Sequence, residues 1–288
     1  MANIRDLRQR ITSVGNIQKI TRAMEMVATT KLRRFQEKAV ASQPYAEELD
    51  RLVRGLSSGV VSDSDTKLNV ADFFQVGDSS APTGVLFIGS SRGLCGAYNT
   101  NVQRELEAGL ETLSTDTKLF VVGKKAMNHA SRMEHTVAAY FEDLDPEKMD
   151  FSEAVAVSKH MVSSFRSGDL SRVFMCGTRF KSMVRYEPYF EAFLPIEAPE
   201  GEAAAEPLLE PNGAELLDRL VPRYLETRVF YALLEAVTSE YASRRFAMKN
   251  ATDAAGDMKK DLTRSYNRAR QQKITSEITE IVSGAEAL

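Results

Sequence analysis

The sequence predicts an α/β protein in which a doubly wound central domain is flanked by two long terminal helices. Three observations lead to this prediction. All nine prolines lie between Pro44 and Pro222, so both ends of the 288-residue chain are free of the residue that most often breaks helices. Apolar residues recur at three- and four-residue spacing near both ends, as in coiled coils. Between the ends, short apolar runs that stop at glycine alternate with helical patterns, which is typical of parallel sheets.

The N-terminal coiled-coil helix is predicted over residues 1–58. Its seam begins with Ile4, Leu7, Ile11 and Val14, which step by three and four residues. We expect the apolar stripe then to drift along the helix before it returns to the first face. The expected positions after the drift are Ile17, Ile20, Met24 and Val27, followed by Ala28, Leu32 and Phe35.

The C-terminal coiled-coil helix is predicted over residues 214–288. Its seam is thin and rich in small side chains, which allows a close approach between helices. The expected seam positions are Met248, Ala251, Ala255, Met258, Leu262, Ser265 and Ala269. The 66 residues after the last proline would form a helix about 100 Å long, more than a domain of this size can cover. Such helices can pair with each other, antiparallel, or with another protein.

The central domain is predicted over residues 80–196 as a doubly wound, Rossmann-like sheet. Strands are expected at 84–90, 118–123 and 171–177, and helices at 99–113, 124–133 and 150–166. The stretch 181–196 is expected to add one or two edge strands, because Pro188 lacks the amide that a central strand needs. Residues 197–213 are acidic and contain three prolines, so they are expected to form an exposed linker.

Charge is distributed unevenly along the chain, although the net charge is only −3. Residues 1–38 carry nine basic and three acidic side chains, and residues 240–273 carry nine and four. Residues 186–215 contain eight glutamates and no basic residue. Such asymmetry indicates charged partners rather than a particular fold.

A glycine-rich turn, GSSRGLCGAYNTN (89–101), stands between a predicted strand and a predicted helix, where many proteins bind phosphate. Gly89, Gly93 and Gly96 do not have the spacing of a dinucleotide fingerprint, and no Lys-Ser or Lys-Thr pair follows them. The preferred interpretation is a tight structural turn. Arg92 and the free amides of the following helix leave anion binding open as a weaker alternative.

Other chemistry is sparse, and no catalytic, cofactor-binding or metal-binding residue is predicted. The three histidines lack a second ligand at metal-binding spacing. Cys95 has no histidine nearby in sequence, and both cysteines lie in apolar contexts, which is typical of a reducing compartment.

The two ends carry the most specific signal. NIQKITRAMEMVATTKLRRFQ (16–36) and SRRFAMKNATDAAGDMKKDLTRSYNRARQQKITSEITEIVSGA (243–285) resemble the ends of the gamma subunits of F-type ATP synthases. RGLCGAYNTN (92–101) resembles that family's central signature, and PRYLETRVFYALLEA (222–236) is also similar in kind. The resemblance covers essentially the whole chain and is closest to bacterial members.

This resemblance implies a non-catalytic rotor shaft. The terminal helices would form an antiparallel coiled coil inside a ring of three alpha and three beta subunits, and the α/β domain would lie against the epsilon subunit and the membrane c-ring. Proton flow would turn the shaft, and its turning would change which catalytic site is closed. The implied location is peripheral, on the cytoplasmic face of the bacterial inner membrane, without insertion into it. No cofactor is implied.

The same resemblance places specific residues in contact with the ring. The rotor–ring contacts it implies are Met24, Arg244, Gln271, Thr275 and Glu280. An acidic loop of the beta subunit is expected to face basic side chains, namely Arg22, Lys31, Arg33, Arg34, Arg244, Arg245 and Lys249. The apolar tail Ile274, Ile278 and Ile281 would turn in an apolar sleeve. For each basic residue, the alternative is an ordinary solvated helix face.

Two other classes of function remain open at this point. A helical nucleic-acid-binding protein would use the basic ends, although the acidic middle and a pI near 5.8 argue against it. An enzyme would need acid, base or phosphate-binding groups that converge at the strand ends, and none is evident.

Overall fold

A computed structural model describes residues 4–60, 70–133, 135–142, 150–197 and 213–286. A short 3-10 helix (Ala71–Phe74) precedes the sheet. The helices are α1 (Ile4–Val60), α2 (Tyr98–Glu111), α3 (Lys124–Ala130), α4 (Phe151–Arg166) and α5 (Gly213–Glu286). The strands are β1 (Thr83–Ile88), β2 (Thr117–Val122), β3 (Thr136–Phe141), β4 (Arg172–Ser182) and β5 (Arg185–Leu194). Most of the acidic linker predicted over 197–213 lies outside the described residues.

The chain divides into two compact units, each of which is described by itself. The terminal unit consists of residues 1–29 and 244–288, and the central unit consists of residues 30–243. Helices α1 and α5 contribute to both units. The four-segment division derived from the sequence therefore stays a prediction, since the compact units cut across it.

In the terminal unit, the two helices pair antiparallel. The Thr252 hydroxyl donates to the Thr21 hydroxyl at 2.8 Å. A Cβ at Gly256 would lie 2.9 Å from Gln18 Nε2, so glycine allows a close approach at that point. The later residue on α5, Gly256, lies beside the earlier residue on α1, Gln18, so the two helices run antiparallel.

The seam of α1 differs from the prediction in the terminal unit. Its buried and half-buried positions keep a strict heptad spacing through Ile4, Leu7, Ile11, Val14, Gln18, Thr21, Glu25 and Ala28. The seam therefore does not drift: polar residues occupy the middle positions, and the predicted apolar stripe at 17–27 points away from α5. The same correction applies to α5, where Thr252 and Tyr266 occupy seam positions while Met258 and Ser265 are exposed.

The central unit contains a five-stranded sheet in the order β3-β2-β1-β4-β5. The first four strands are parallel, and β5 pairs antiparallel with β4. The doubly wound prediction is confirmed, and Pro188 lies on an edge strand as expected. Strand β3 has no fully buried residue, and it was not predicted because its apolar run, VAAYF, does not stop at a glycine as the runs of the predicted strands do.

Helices pack on the sheet through buried apolar side chains and, at one point, through a glycine. Val102 and Leu106 of α2 pack with Val85 and Phe87 of β1 in one apolar core. At Gly109 a Cβ would collide with the Phe190 ring, so α2 can approach β5 only because this residue has no side chain.

Helices α1 and α5 also pair within the central unit. Phe35 stacks on Tyr241 with 5.6 Å between ring centroids. The Tyr224 hydroxyl donates to Asp50 Oδ1 at 2.8 Å. Among the described residues, no helix combines the length and the apolar composition that crossing a bilayer would require.

Candidate functional site

Side chains of the glycine-rich turn form hydrogen bonds with one another. It joins β1, which ends at Ile88, to α2, which begins at Tyr98. The Ser90 hydroxyl lies 2.8 Å from Asn99 Oδ1, and the Asn99 amide donates to the Cys95 sulfur at 3.3 Å. Gly96 adopts a left-handed φ of 58° that reverses the chain. These contacts favour the structural turn that the sequence predicts.

This turn is also bonded to helix α5 within the central unit. The hydroxyl of the buried Tyr98 donates to the Ala236 carbonyl at 3.1 Å. The Ser243 hydroxyl donates to the Cys95 carbonyl at 2.6 Å. Burial raises the pKa of Tyr98 well above its ordinary value, so the phenol keeps the proton that it donates. The turn therefore joins the sheet to the long helix at two points.

Catalytic and metal-binding groups do not converge among the described residues. No group of three or more His, Cys, Asp or Glu side chains there could hold a metal ion. Both cysteines are buried, and burial raises the pKa of Cys176 far above its ordinary value, which makes it a poor nucleophile. The described part of the chain also carries exposed surfaces of distinct composition.

One such surface is an outward-facing apolar stripe on α1 in the terminal unit. We call Ile17, Ile20, Met24 and Val27 the outer stripe; their exposed fractions are 52%, 57%, 40% and 59%. Their spacing of three, four and three residues places them on one face of the helix, adjacent to the seam. Isolated exposed apolar residues are common, but an aligned set of four indicates a surface that a partner covers.

The predicted ring-contact residues lie on the same unit in different environments. Met24 belongs to the outer stripe, and Arg22 is exposed beside it. On α5, Lys249 is exposed, whereas Arg244 and Arg245 are half-buried. Only the exposed members of this set present their full charge to a partner.

The last turns of α5 have exposed side chains throughout residues 270–283. Gln271, Thr275 and Glu280 therefore all face outward. The Thr275 hydroxyl donates to the Gln271 carbonyl at 3.0 Å, which uses that hydroxyl within the helix. The remaining predicted tail residues are each close to half exposed or more, and so is a neighbour. These residues are Ile274, Ile278 and Ile281, and the neighbour is Val282.

Three more predicted basic residues lie on α1 within the central unit. Arg33 and Arg34 are exposed, and Lys31 is half-buried. Arg33 forms an ion pair with Glu37 at 2.9 Å, one helical turn away, although both side chains are largely exposed. Such a pair contributes little to stability and leaves the guanidinium accessible to a partner.

Comparison with known proteins decides the family. A family model described as ATP synthase matches residues 3–288. The ATP synthase gamma chain of Desulfitobacterium hafniense is 37% identical over 288 residues, which is 100% of both chains. The chain belongs to the ATP synthase gamma-chain family. The gamma chain of Erythrobacter litoralis is 36% identical over 295 residues, again with both chains fully covered.

Solved structures of ATP synthases share the fold. The rotor of the Euglena gracilis mitochondrial ATP synthase contains a chain that matches with a TM-score of 0.67 and 21% identity, over 94% of this chain and 98% of that one. A chain in the OSCP/F1/c-ring structure of the same enzyme matches with a TM-score of 0.69 and 20% identity, over 99% and 94%. A chain of the Tetrahymena thermophila central stalk and c-ring matches with a TM-score of 0.60.

On α1 of this gamma chain, the residues that the sequence pattern misassigned are those of the outer stripe. Their three- and four-residue spacing predicts that they form part of the seam. The actual seam, with a strict seven-residue period, runs through Gln18 and Thr21, each one position after a residue of the outer stripe. Holding the period fixed from Ile4 onward would have identified Ile17 and Ile20 as outward-facing residues. The signal was therefore available, but polar seam residues concealed it.

Proposed function

We propose that this gamma chain is the central rotor shaft of a bacterial F-type ATP synthase. It would couple proton flow through the membrane sector to the catalytic cycle of a surrounding ring of three alpha and three beta subunits. The observation that carries this proposal is the apolar surface of the terminal unit: the outer stripe on α1 and the exposed isoleucines at the end of α5. A surrounding ring would cover both.

The mechanism follows from asymmetry. A single shaft inside a ring with three-fold repetition presents a different face to each beta subunit. A ligand shifts a conformational equilibrium only as far as its contacts with the two states differ, and here the shaft is that ligand. One of its faces carries the outer stripe and the adjacent Arg22, so rotation would change which beta subunit meets apolar side chains and which meets polar ones.

Basic side chains would add electrostatic contacts with acidic segments of the beta subunits. Arg22, Arg33, Arg34 and Lys249 are exposed and accessible for this role. Four further side chains would contact the ring at different heights along the helices, namely Met24, Gln271, Thr275 and Glu280. Each exposed ion pair would contribute less than about 1 kcal/mol, so these residues would act together rather than singly.

Torque would enter through the central unit. This unit would bind the epsilon subunit and the membrane c-ring, and the bonds from Tyr98 and Ser243 would fix the sheet to α5 against twisting. The protein would lie at the cytoplasmic face of the bacterial inner membrane as a peripheral subunit. The catalytic nucleotides would bind to the ring and not to the glycine-rich turn of this chain.

Co-purification tests the proposal. An affinity tag inserted after Gly168, in an exposed turn of the central unit, would leave both terminal helices unmodified. Extraction of the source membranes with mild detergent is expected to yield this chain with two larger proteins in three-fold molar excess, together with ATPase activity. Recovery of the folded chain alone, or with nucleic acid, would contradict the proposal.

A further inference from the structure

The central unit contains a cavity, lined by charged and aromatic side chains, that the rotor function does not use. Its volume is about 370 Å³, within the usual range of small-molecule sites. Helix α1, strands β4 and β5, and helix α5 form its walls. The side chains on which its chemistry depends are Arg179, Tyr189, Glu191, Arg228, Tyr231 and Glu235.

Both guanidinium groups of the cavity already have partners. Arg179 forms an ion pair with Glu191 and lies 4.9 Å from the centroid of the Tyr189 ring. Arg228 donates to the Ala192 carbonyl at 3.1 Å and lies 3.6 Å from Glu191. The two arginines therefore share one carboxylate, and neither offers an uncommitted charge to an anionic ligand.

Two of the remaining carboxylates also have donors. Asp50 accepts from the Tyr224 hydroxyl at 2.8 Å and from Arg54 Nε at 2.9 Å. Glu47 accepts from the side-chain amide of Gln43 at 2.7 Å. These contacts stabilise each carboxylate at the wall of the cavity.

Glu235 is different. It accepts a hydrogen bond from the backbone amide of Phe180, but within the described part of the chain no cationic side chain lies in ion-pair distance of it. Burial raises its pKa to about 7, because the positive charges of Arg179 and Lys181 offset only part of the desolvation and Glu191 opposes them. The cavity thus holds one mostly buried carboxylate that forms no direct ion pair, although the charges of Arg179 and Lys181 act on it.

A second polar group in the cavity is also unused. Tyr189 is 9% exposed and lines the cavity, and its hydroxyl has no hydrogen-bond partner among the described residues. Tyr231 lies beside Glu235, and burial together with the charges of Glu235 and Glu47 raises its pKa to about 12. Both phenols are neutral at physiological pH. The Tyr189 ring already faces the Arg179 guanidinium, whereas the Tyr231 ring presents an aromatic face that attracts cations.

We propose that this cavity binds a short-chain primary ammonium ion, whose charge pairs with Glu235 and whose alkyl chain lies against the rings of Tyr189 and Tyr231. An ammonium group can donate both to Glu235 and to the unused Tyr189 oxygen, since it carries three donors. A metal ion fits less well, because the described residues provide no cluster of three metal-ligating side chains.

Binding should release a proton. Near pH 6.5 most Glu235 side chains are protonated, and pairing with an ammonium ion favours the ionised carboxylate. Each ammonium ion bound would then transfer up to one proton from Glu235 to the buffer, while the amine keeps its own. The other charged groups that face Glu235 are Arg179 and Lys181 on β4, Glu191 on β5, and Glu47 and Asp50 on α1.

Three probes of equal length test the charge of the ligand: butylamine, butanol and butyrate. They are titrated into the purified full-length chain at pH 6.5 in two buffers with different ionisation enthalpies. The proposal predicts saturable binding of butylamine alone, with a buffer-dependent heat that corresponds to proton release. Absence of butylamine binding to the folded chain, or equal binding of butanol or butyrate, overturns it.

Two matched variants identify the residue. Glu235→Gln is expected to weaken butylamine binding at least tenfold and to abolish proton release. Glu111→Gln, an exposed position on α2 outside the cavity, is expected to change neither. Unchanged binding and proton release in Glu235→Gln would overturn the assignment. Both variants should assemble with the alpha and beta subunits as wild type does, which separates this test from that of the rotor function.

Discussion

Replacing the two isoleucines of the outer stripe should weaken assembly without weakening the fold. Ile17 and Ile20 are 52% and 57% exposed, which together amounts to about one complete isoleucine side chain in contact with water. Burying one such side chain in an interface contributes roughly 1.5–3 kcal/mol. The double variant Ile17→Thr, Ile20→Thr keeps the β-branch but loses most of this apolar area. Its affinity for the ring should therefore fall about 10- to 100-fold.

The assay is titration of purified alpha and beta subunits into the fluorescently labelled chain, followed by anisotropy, with urea unfolding of the free chain measured in parallel. The urea midpoint of the double variant should match that of the wild type. Leu32→Thr is the matched control, because Leu32 is 2% exposed and its loss should destabilise the free chain by roughly 2–5 kcal/mol. Wild-type affinity in the double variant would refute the claim that a partner covers the outer stripe.

Three further perturbations test other parts of the account. Ala251→Pro should cost about 3 kcal/mol or more in α5 and abolish assembly, and normal ATP synthesis by this variant would contradict the shaft role. Tyr98→Phe should lower the free energy of unfolding by about 1 kcal/mol, because the bond to the Ala236 carbonyl is lost, whereas Tyr45→Phe at an exposed site should not. The pKa of Glu235 is about 7 in the folded chain and 4.5 in the unfolded chain. Between pH 4.5 and pH 7 the folded state therefore binds more protons than the unfolded state. The free energy of unfolding should consequently fall by roughly 3 kcal/mol as the pH rises through this range. Glu235→Gln should remove this fall, and urea titrations at pH 5 and pH 8 would contradict the reasoning if both proteins gave the same difference.

The elements with strong local signals were predictable from the sequence. The lack of proline from residues 1–43 and 223–288, together with the scarcity of glycine there, marked the long helices. Buried parallel strands such as β1 and β2 appeared as continuous apolar runs. Strand β3 was missed because its apolar run, VAAYF, does not stop at a glycine, which is the signal that marked the other parallel strands.

The functional surface was only partly predictable. Gln18, Thr21 and Glu25 occupy seam positions where apolar residues are the norm, and apolar Ile17 and Ile20 lie next to them. Three- and four-residue spacing fits both faces, and only a seven-residue period held fixed from Ile4 separates them, because polar residues conceal the seam.

The cavity around Glu235 could not be predicted at all. Its walls come from Glu47 on α1, Arg179 and Glu191 on the β4–β5 hairpin, and Tyr231 on α5. Glu47 lies 132 positions before Arg179, and Arg179 lies 52 positions before Tyr231. Their proximity follows from tertiary packing, which no local pattern encodes.

Direct observation of rotation tests the central claim. Ala108 is exposed on α2, and Cys95 and Cys176 are both buried, so the variant Ala108→Cys offers a selective attachment point for a bead. The ring of alpha and beta subunits is fixed to a surface, and ATP is added. The account predicts that the bead turns in one direction in steps that reflect the three catalytic sites. A bead that stays fixed while the same complexes hydrolyse ATP would contradict it.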